Sequence, residues 1–169
     1  MIRLIVLAVV VAVTGCGYST GSLMPEGIST IAVRMGTNDT FYRGDEIALT
    51  GEVTRQLMRR TDVTVREIPK AEAVLSLRIL DMGRVPLVVD DRERTLEEGV
   101  ISEVEVVLTE RTTGRVITKF KMLRRDEGIL ARGEDLNVVR AKVVRELAED
   151  IVFELQKATF AKAAESRGS

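Results

Sequence analysis

The chain has 169 residues, with 25 basic and 26 acidic side chains giving a formal net charge of −1, a single cysteine and no histidine or tryptophan. Without histidine or a second cysteine there is no Cys-His or Ser-His-Asp arrangement, no usual zinc or copper ligand set and no histidine general base, so an enzyme would have to work with carboxylates alone. The near-neutral balance also excludes the strongly basic domain that bulk nucleic-acid binding needs, and no nucleic-acid partner, metal or cofactor is expected.

Residues 4–13 are ten consecutive apolar residues, preceded by Arg3 and followed by Thr14-Gly15-Cys16. A basic start, an apolar stretch and small residues are the layout of a secretory signal. The run is too short to span a bilayer, which takes about 20 apolar residues. The only cysteine follows the small residues directly, and the segment resembles a bacterial lipobox. In that family the thiol takes a diacylglycerol, and the cysteine becomes the first residue of the cleaved protein. The resemblance therefore implies residues 1–15 as signal peptide, Cys16 as the lipidation site and the membrane as a partner through the lipid anchor. Each buried methylene adds about 0.8 kcal/mol, so two or three acyl chains hold a protein where one does so only marginally. The alternative is an ordinary signal peptide followed by a free thiol, but a lone exported cysteine has no partner in its own chain. Gly17, rather than the Asp that marks inner-membrane retention in the enterobacterial family, implies the outer membrane.

Glycines, Ser/Thr residues and Pro25 make residues 16–27 a linker. A single folded domain is expected over residues 28–158, because a chain near 150 residues buries roughly 70% of its unfolded surface. Residues 28–33 read as a strand with Ile31 and Val33 on one face and Ile28, Thr30 and Ala32 on the other, covered on both sides. Gly36-Thr37-Asn38-Asp39 reads as a turn. Asp45 is the expected N-cap of a helix to Arg60, with Ile47, Leu49, Val53, Leu57 and Met58 forming its apolar stripe and Glu52, Arg55 and Arg59 opposite. Residues 63–68 form a second strand stopped by Pro69. A third covers residues 73–82 with Ala73, Leu75, Leu77 and Ile79 inward, and Pro86 makes any continuation through Val85, Leu87 and Val89 an edge or a bend.

Residues 90–98 break the alternation with Asp90, Asp91, Glu93, Glu97 and Glu98. They read as a solvated turn or as a carboxylate site, and the spacing of an EF-hand is absent. Residues 100–110 alternate again, with Val104, Val106 and Leu108 inward and Glu103, Glu105 and Val107 outward. Thr112-Thr113-Gly114 turns the chain into residues 115–124, with Val116, Phe120 and Met122 inward. Lys119 and Lys121 then face Glu103 and Glu105, in cross-strand pairs that contribute about 0.2 to 1 kcal/mol each. Adding Arg124 and Arg125 gives more positive charge than two glutamates neutralise, which points to a basic strip suited to an anionic ligand. Residues 133–158 form the longest helix, with Leu136, Val139, Val143, Leu147, Ile151 and Leu155 at helical spacing and Val144, Ala148 and Val152 widening the stripe. Arg140, Glu146 and Asp150 fall on its solvated side, and residues 159–169 read as a disordered tail. The sum is an α+β fold: a two-layer sandwich with a mixed or antiparallel sheet of four to five strands and two helices packed on one face.

Several segments together carry a resemblance. They are Cys16-Gly17-Tyr18, Pro25-Glu26-Gly27-Ile28-Ser29-Thr30-Ile31-Ala32-Val33, Asn38-Asp39-Thr40-Phe41, Glu46-Ile47-Ala48-Leu49-Thr50, Ala71-Glu72-Ala73 and the Thr113-Gly114 hairpin. In this order they resemble the LptE family, lipoproteins of the outer-membrane lipopolysaccharide translocon. Two positions depart from the family: Arg34 stands where relatives often have a proline, and Ala71-Glu72-Ala73 where Ala-Asp is usual. The resemblance implies a non-enzymatic plug that sits in a large outer-membrane β-barrel, supports its assembly and contacts lipopolysaccharide. Lys119, Lys121, Arg124 and Arg125 are the first candidates for that contact, and Arg92 and Arg94 the next. The alternative is a regulatory or scaffold lipoprotein that activates a periplasmic synthase or secretion complex.

Overall fold

The computed structural model describes residue 24 and residues 28–91, 95–128 and 136–167. The strands are β1 (Thr30–Val33), β2 (Thr37–Asn38), β3 (Thr64–Val65), β4 (Ala73–Val89), β5 (Thr95–Glu110) and β6 (Val116–Gly128), and the helices are α1 (Asp45–Arg60) and α2 (Leu136–Arg167). They form one six-stranded sheet in the order β3-β1-β4-β5-β6, with β2 also paired to β4. β1 runs parallel to β3 and β4, and β4, β5 and β6 form an antiparallel meander. The architecture is the expected α+β one, with a mixed sheet and both helices contributing to one core cluster on one face. The sixth strand is β2: Thr37 and Asn38 pair with Arg78 and Ile79 where a turn was expected.

The core follows the alternation of the strands. Leu75↔Leu108, Leu77↔Val106 and Ile79↔Val104 are direct cross-strand pairs, and all six side chains are buried. Residues two apart on a strand share a face, so Ala73 lies with them, as expected. The irregularity between Ile79 and Asp81 then shifts the parity, and Met82 is the next buried residue on β4. On the other side of β1, Ala32 packs with Ala71 and Val74, so that strand is covered on both faces. β4 does continue through Pro86 to Val89, and its register slips at Pro86. β5 begins at Thr95, so the acidic stretch is partly strand.

α1 spans the expected residues, but its start differs. Gly44, at φ 99°, is the N-cap, and Asp45 lies in the first turn. A left-handed backbone suits glycine because it has no Cβ to clash. Leu49, Val53 and Leu57 are buried as expected, whereas Ile47 and Met58 are 61% and 57% exposed. At 100° per residue Ile47 sits 200° from Leu49, nearly opposite the stripe. Its place on the buried side is taken by Gln56, whose amide donates to Glu52 at 3.1 Å and to Glu149 of α2 at 3.4 Å.

Three further corrections concern element ends. Of residues 63–68 only Thr64 and Val65 pair in a strand, and Ile68–Lys70 is a 3-10 turn built around Pro69. On β6, Val116 is half exposed although it was expected inward. The register shifts between Leu108 and Thr109, so Thr109 pairs with Val116 and Leu108 with Thr118. The extra residue is Ile117, a β-bulge that turns Ile117 toward the core instead. α2 buries the eight residues from Val139 to Leu155 named for its stripe, and its helical backbone runs on to Arg167, through residues expected as tail. Met24, assigned to the linker, is 1% exposed and belongs to the main core.

Candidate binding surface

The open face of the sheet is lined by ion pairs. Lys119 Nζ lies 2.9 Å from Glu105 and Lys121 Nζ 2.9 Å from Glu103, each across one diagonal of the β5·β6 ladder. Arg78 on β4 lies 2.7 Å from Asp39. Glu105 is held below the ordinary carboxylate range, first by its bond from Lys119 and further by the charges of Lys119, Arg78 and Lys121. Both lysines therefore have the glutamate partners expected of them, and both remain more than half exposed.

The basic strip itself is split between two faces. Lys119, Lys121 and Arg125 stand at odd positions of β6 and point to the open side, where Arg125 makes no ion pair among the described residues. Arg124, at an even position, turns to the helices. It lies 2.6 Å from Asp150 and also pairs with Glu146, both on α2. Burial works against its charge, but Asp150 and Glu146 outweigh burial and raise its pKa further. The four residues thus follow one another in sequence without forming one surface, since strand side chains alternate. Glu146 and Asp150, expected to face only solvent, are its counter-ions. Arg92, Arg94 and Cys16 lie outside the described residues.

The segments that carried the family resemblance act as structural ties. Asn38 Nδ2 donates to the Tyr42 carbonyl at 2.6 Å and to Glu46 Oε2 at 2.8 Å, while its Oδ1 accepts from the Thr40 N–H at 2.9 Å. The bond from Asn38 is the main reason that the Glu46 carboxyl is lowered. Thr50 Oγ1 accepts from the Gly36 N–H at 2.9 Å. A Cβ on Gly36 would lie 3.1 Å from that oxygen and 3.3 Å from the Glu46 carbonyl, so glycine permits the close approach. The loop so held presents Phe41 fully exposed. Glu72 accepts from the backbone N–H groups of Ser29 and Thr30 at 2.6 and 3.0 Å, and these bonds lower its pKa. It fastens the point where the chain enters the sheet.

A groove of about 390 Å³ between α1 and α2 was not foreseen. Asp45, Ala48, Glu52 and Arg55 of α1 line it against Arg140, Ala141, Val144 and Arg145 of α2. Arg140 closes one end, paired with Asp45 and placed 4.4 Å above the Tyr42 ring. Among the described residues no group of three or more acidic or cysteine side chains is placed to hold a metal, and no helix is long and apolar enough to cross a membrane.

Two packed helices on one face of a six-stranded mixed sheet define a fold found in solved lipoprotein structures. A protein from Xanthomonas campestris superposes with a TM-score of 0.58 at 11% identity, over 86% of this chain and 91% of the other. Lipoprotein B from Nitrosomonas europaea gives 0.55 at 13% identity, over 87% and 93%. The rare lipoprotein B from Shewanella oneidensis gives 0.53 at 15% identity, over 80% and 98%. No curated protein matches the sequence. The family model LptE, lipopolysaccharide-assembly, matches residues 28–155, and the chain belongs to that family.

Proposed function

We propose that this protein is a non-enzymatic outer-membrane lipoprotein, tethered through Cys16, that plugs and helps assemble the barrel of the lipopolysaccharide translocon and contacts lipopolysaccharide on its way outward. The observation that carries this reading is the family match over residues 28–155, which takes in all six strands, α1 and the buried part of α2. The absence of histidine and the pairing of the open-face carboxylates with lysines agree with a role in binding rather than bond-making. Lys119, Lys121 and Arg125 remain the candidate contacts for phosphates and acidic sugars, with Arg92 and Arg94 as the next candidates. Arg124 is engaged by α2 and has little charge to offer.

Purification of the tagged chain from detergent-solubilised outer membranes tests the proposal. A large β-barrel and lipopolysaccharide should co-purify, and Cys16→Ser should abolish labelling by a fatty acid. Recovery of the chain with a periplasmic synthase and no barrel would overturn it.

A further inference from the structure

We propose that the outer edge of β6 docks an extended segment of another polypeptide, one in which acidic and apolar residues alternate, as a further strand of the sheet. β6 ends the strand order, and among the described residues nothing pairs along its outer side from Val116 to Gly128. Such an edge presents a row of backbone donors and acceptors that a strand can complete. Its length exceeds the usual strand of about 5 to 6 residues, so the template is long.

The side chains on the two faces of this edge specify what fits. Toward the helices, Phe120 and Met122 continue the rows Leu77–Val106 and Ile79–Val104. Their inner neighbours are sealed from water, whereas these two are only partly buried, so the core is left thin at its margin. Apolar side chains on an added strand would close it. On the open face Lys119, Lys121, Leu123 and Arg125 are exposed. Among the described residues Lys119 and Lys121 are met by carboxylates from β5 only, on their inner side. An added strand therefore meets cations on one face and half-covered apolar groups on the other. β5 already satisfies β6 in this way from within, with Glu103 and Glu105 on the open face and Val104, Val106 and Leu108 on the core face.

A second copy of the chain does not fit the same edge. Pairing β6 with β6 would set Lys119, Lys121 and Arg125 against one another, and like charges placed opposite are destabilising. Lysines on an edge strand are a known guard against self-pairing. Here the same lysines leave the edge open to an acidic partner.

The test uses the full chain in detergent micelles and three labelled peptides: one alternating glutamate with valine, its counterpart with lysine for glutamate, and the first with proline at its centre. The proposal expects the glutamate peptide to bind by fluorescence anisotropy and to slow amide hydrogen exchange along β6, while the other two bind far more weakly. The double variant Lys121→Gln with Arg125→Glu should weaken binding by about tenfold or more while leaving the circular dichroism spectrum intact, because a like charge replaces an opposite one. Equal binding of the lysine peptide, slowed exchange on another element, or sedimentation of the chain as a dimer with β6 protected would each overturn it.

Discussion

On the face of the sheet that α1 and α2 cover, Leu75, Leu77, Val104, Val106 and Leu108 are sealed from water, whereas the open face carries Arg78 and Lys121 exposed and Glu103 and Glu105 partly exposed. Each fully buried aliphatic side chain on the first face contributes about 1.5 to 3 kcal/mol. Each exposed ion pair on the second contributes about 0 to 1 kcal/mol. The strands thus separate two tasks by alternation: one face fixes the fold, and the other can exchange its partners at little cost. Polar groups on the covered face are few, chiefly Gln56, Ser102 and Arg124.

The largest effect should come from the covered face. Leu147 is fully buried against the sheet, so Leu147→Ala should cost about 2 to 5 kcal/mol through lost burial and the cavity left behind. For a domain of this size that lowers the melting temperature by roughly 2 to 4 °C per kcal/mol, measurable by circular dichroism. Leu123, 64% exposed on the open side, is the control. Leu123→Ala should stay within about 0.5 kcal/mol, and equal losses at both leucines would erase the contrast between the faces.

An intermediate effect is expected where a charge has crossed to the covered face. Arg124→Ala leaves Glu146 and Asp150 facing each other without their shared cation. The lost charge-assisted bonds should cost about 1 to 3 kcal/mol, read from the urea midpoint. Arg124→Glu should cost more. A neutral result would mean that α2 docks on β6 through apolar contacts alone.

How far the sequence reaches is visible at this same junction. The alternation of β5 and the stripe of α2 were readable because burial repeats with the period of the element, and the residues named for both faces of β5 and, from Val139 to Leu155, for the buried side of α2 lie as expected. β2 was not readable, since two polar residues carry no pattern and their pairing with Arg78 and Ile79 is a long-range event. Val116 failed because the bulge at Ile117 resets the parity of the strand, and nothing in the residues themselves announces a bulge. The basic strip was readable only in part, because Arg124 leaves the face of the other three. Lys119, Lys121, Arg124 and Arg125 were grouped by closeness in sequence, but the partner of Arg124 lies on a helix whose placement only the folded chain defines. Met24 escaped notice because a short Leu23-Met24 pair in a glycine- and serine-rich stretch looks incidental until Met24 is seen in the core.

A smaller, pH-dependent effect belongs to Glu72, which is exposed and yet bonded to the Ser29 and Thr30 N–H groups. Its carboxyl is lowered in the folded chain. A lowered folded pKa means that its contribution to stability is present above the unfolded carboxylate pKa and is lost as the pH falls through the folded one. Glu72→Gln should therefore reduce the melting temperature at neutral pH, and the gap to the unchanged protein should close on acidification below the carboxylate range. A gap that persists in acid would assign the effect to packing instead of charge.

The smallest effect tests the open face itself. Lys121 Nζ sits 2.9 Å from Glu103, and more than half of its side chain is in water. Attraction at that distance is offset by the entropy of holding two long side chains, so Lys121→Gln should change stability by no more than about 0.5 kcal/mol. Screening acts beyond about 8 Å at physiological ionic strength and over shorter distances as salt rises, so the remaining difference should shrink in high salt. A double-mutant cycle with Glu103→Gln isolates the pair, and its coupling should lie below about 1 kcal/mol. Weak coupling leaves Lys121 able to turn toward a phosphate or an incoming carboxylate without loss of fold, as both proposed uses of this face require. Coupling of about 2 kcal/mol or more would make the row part of the scaffold, and an anion binding there would first have to pull the scaffold apart.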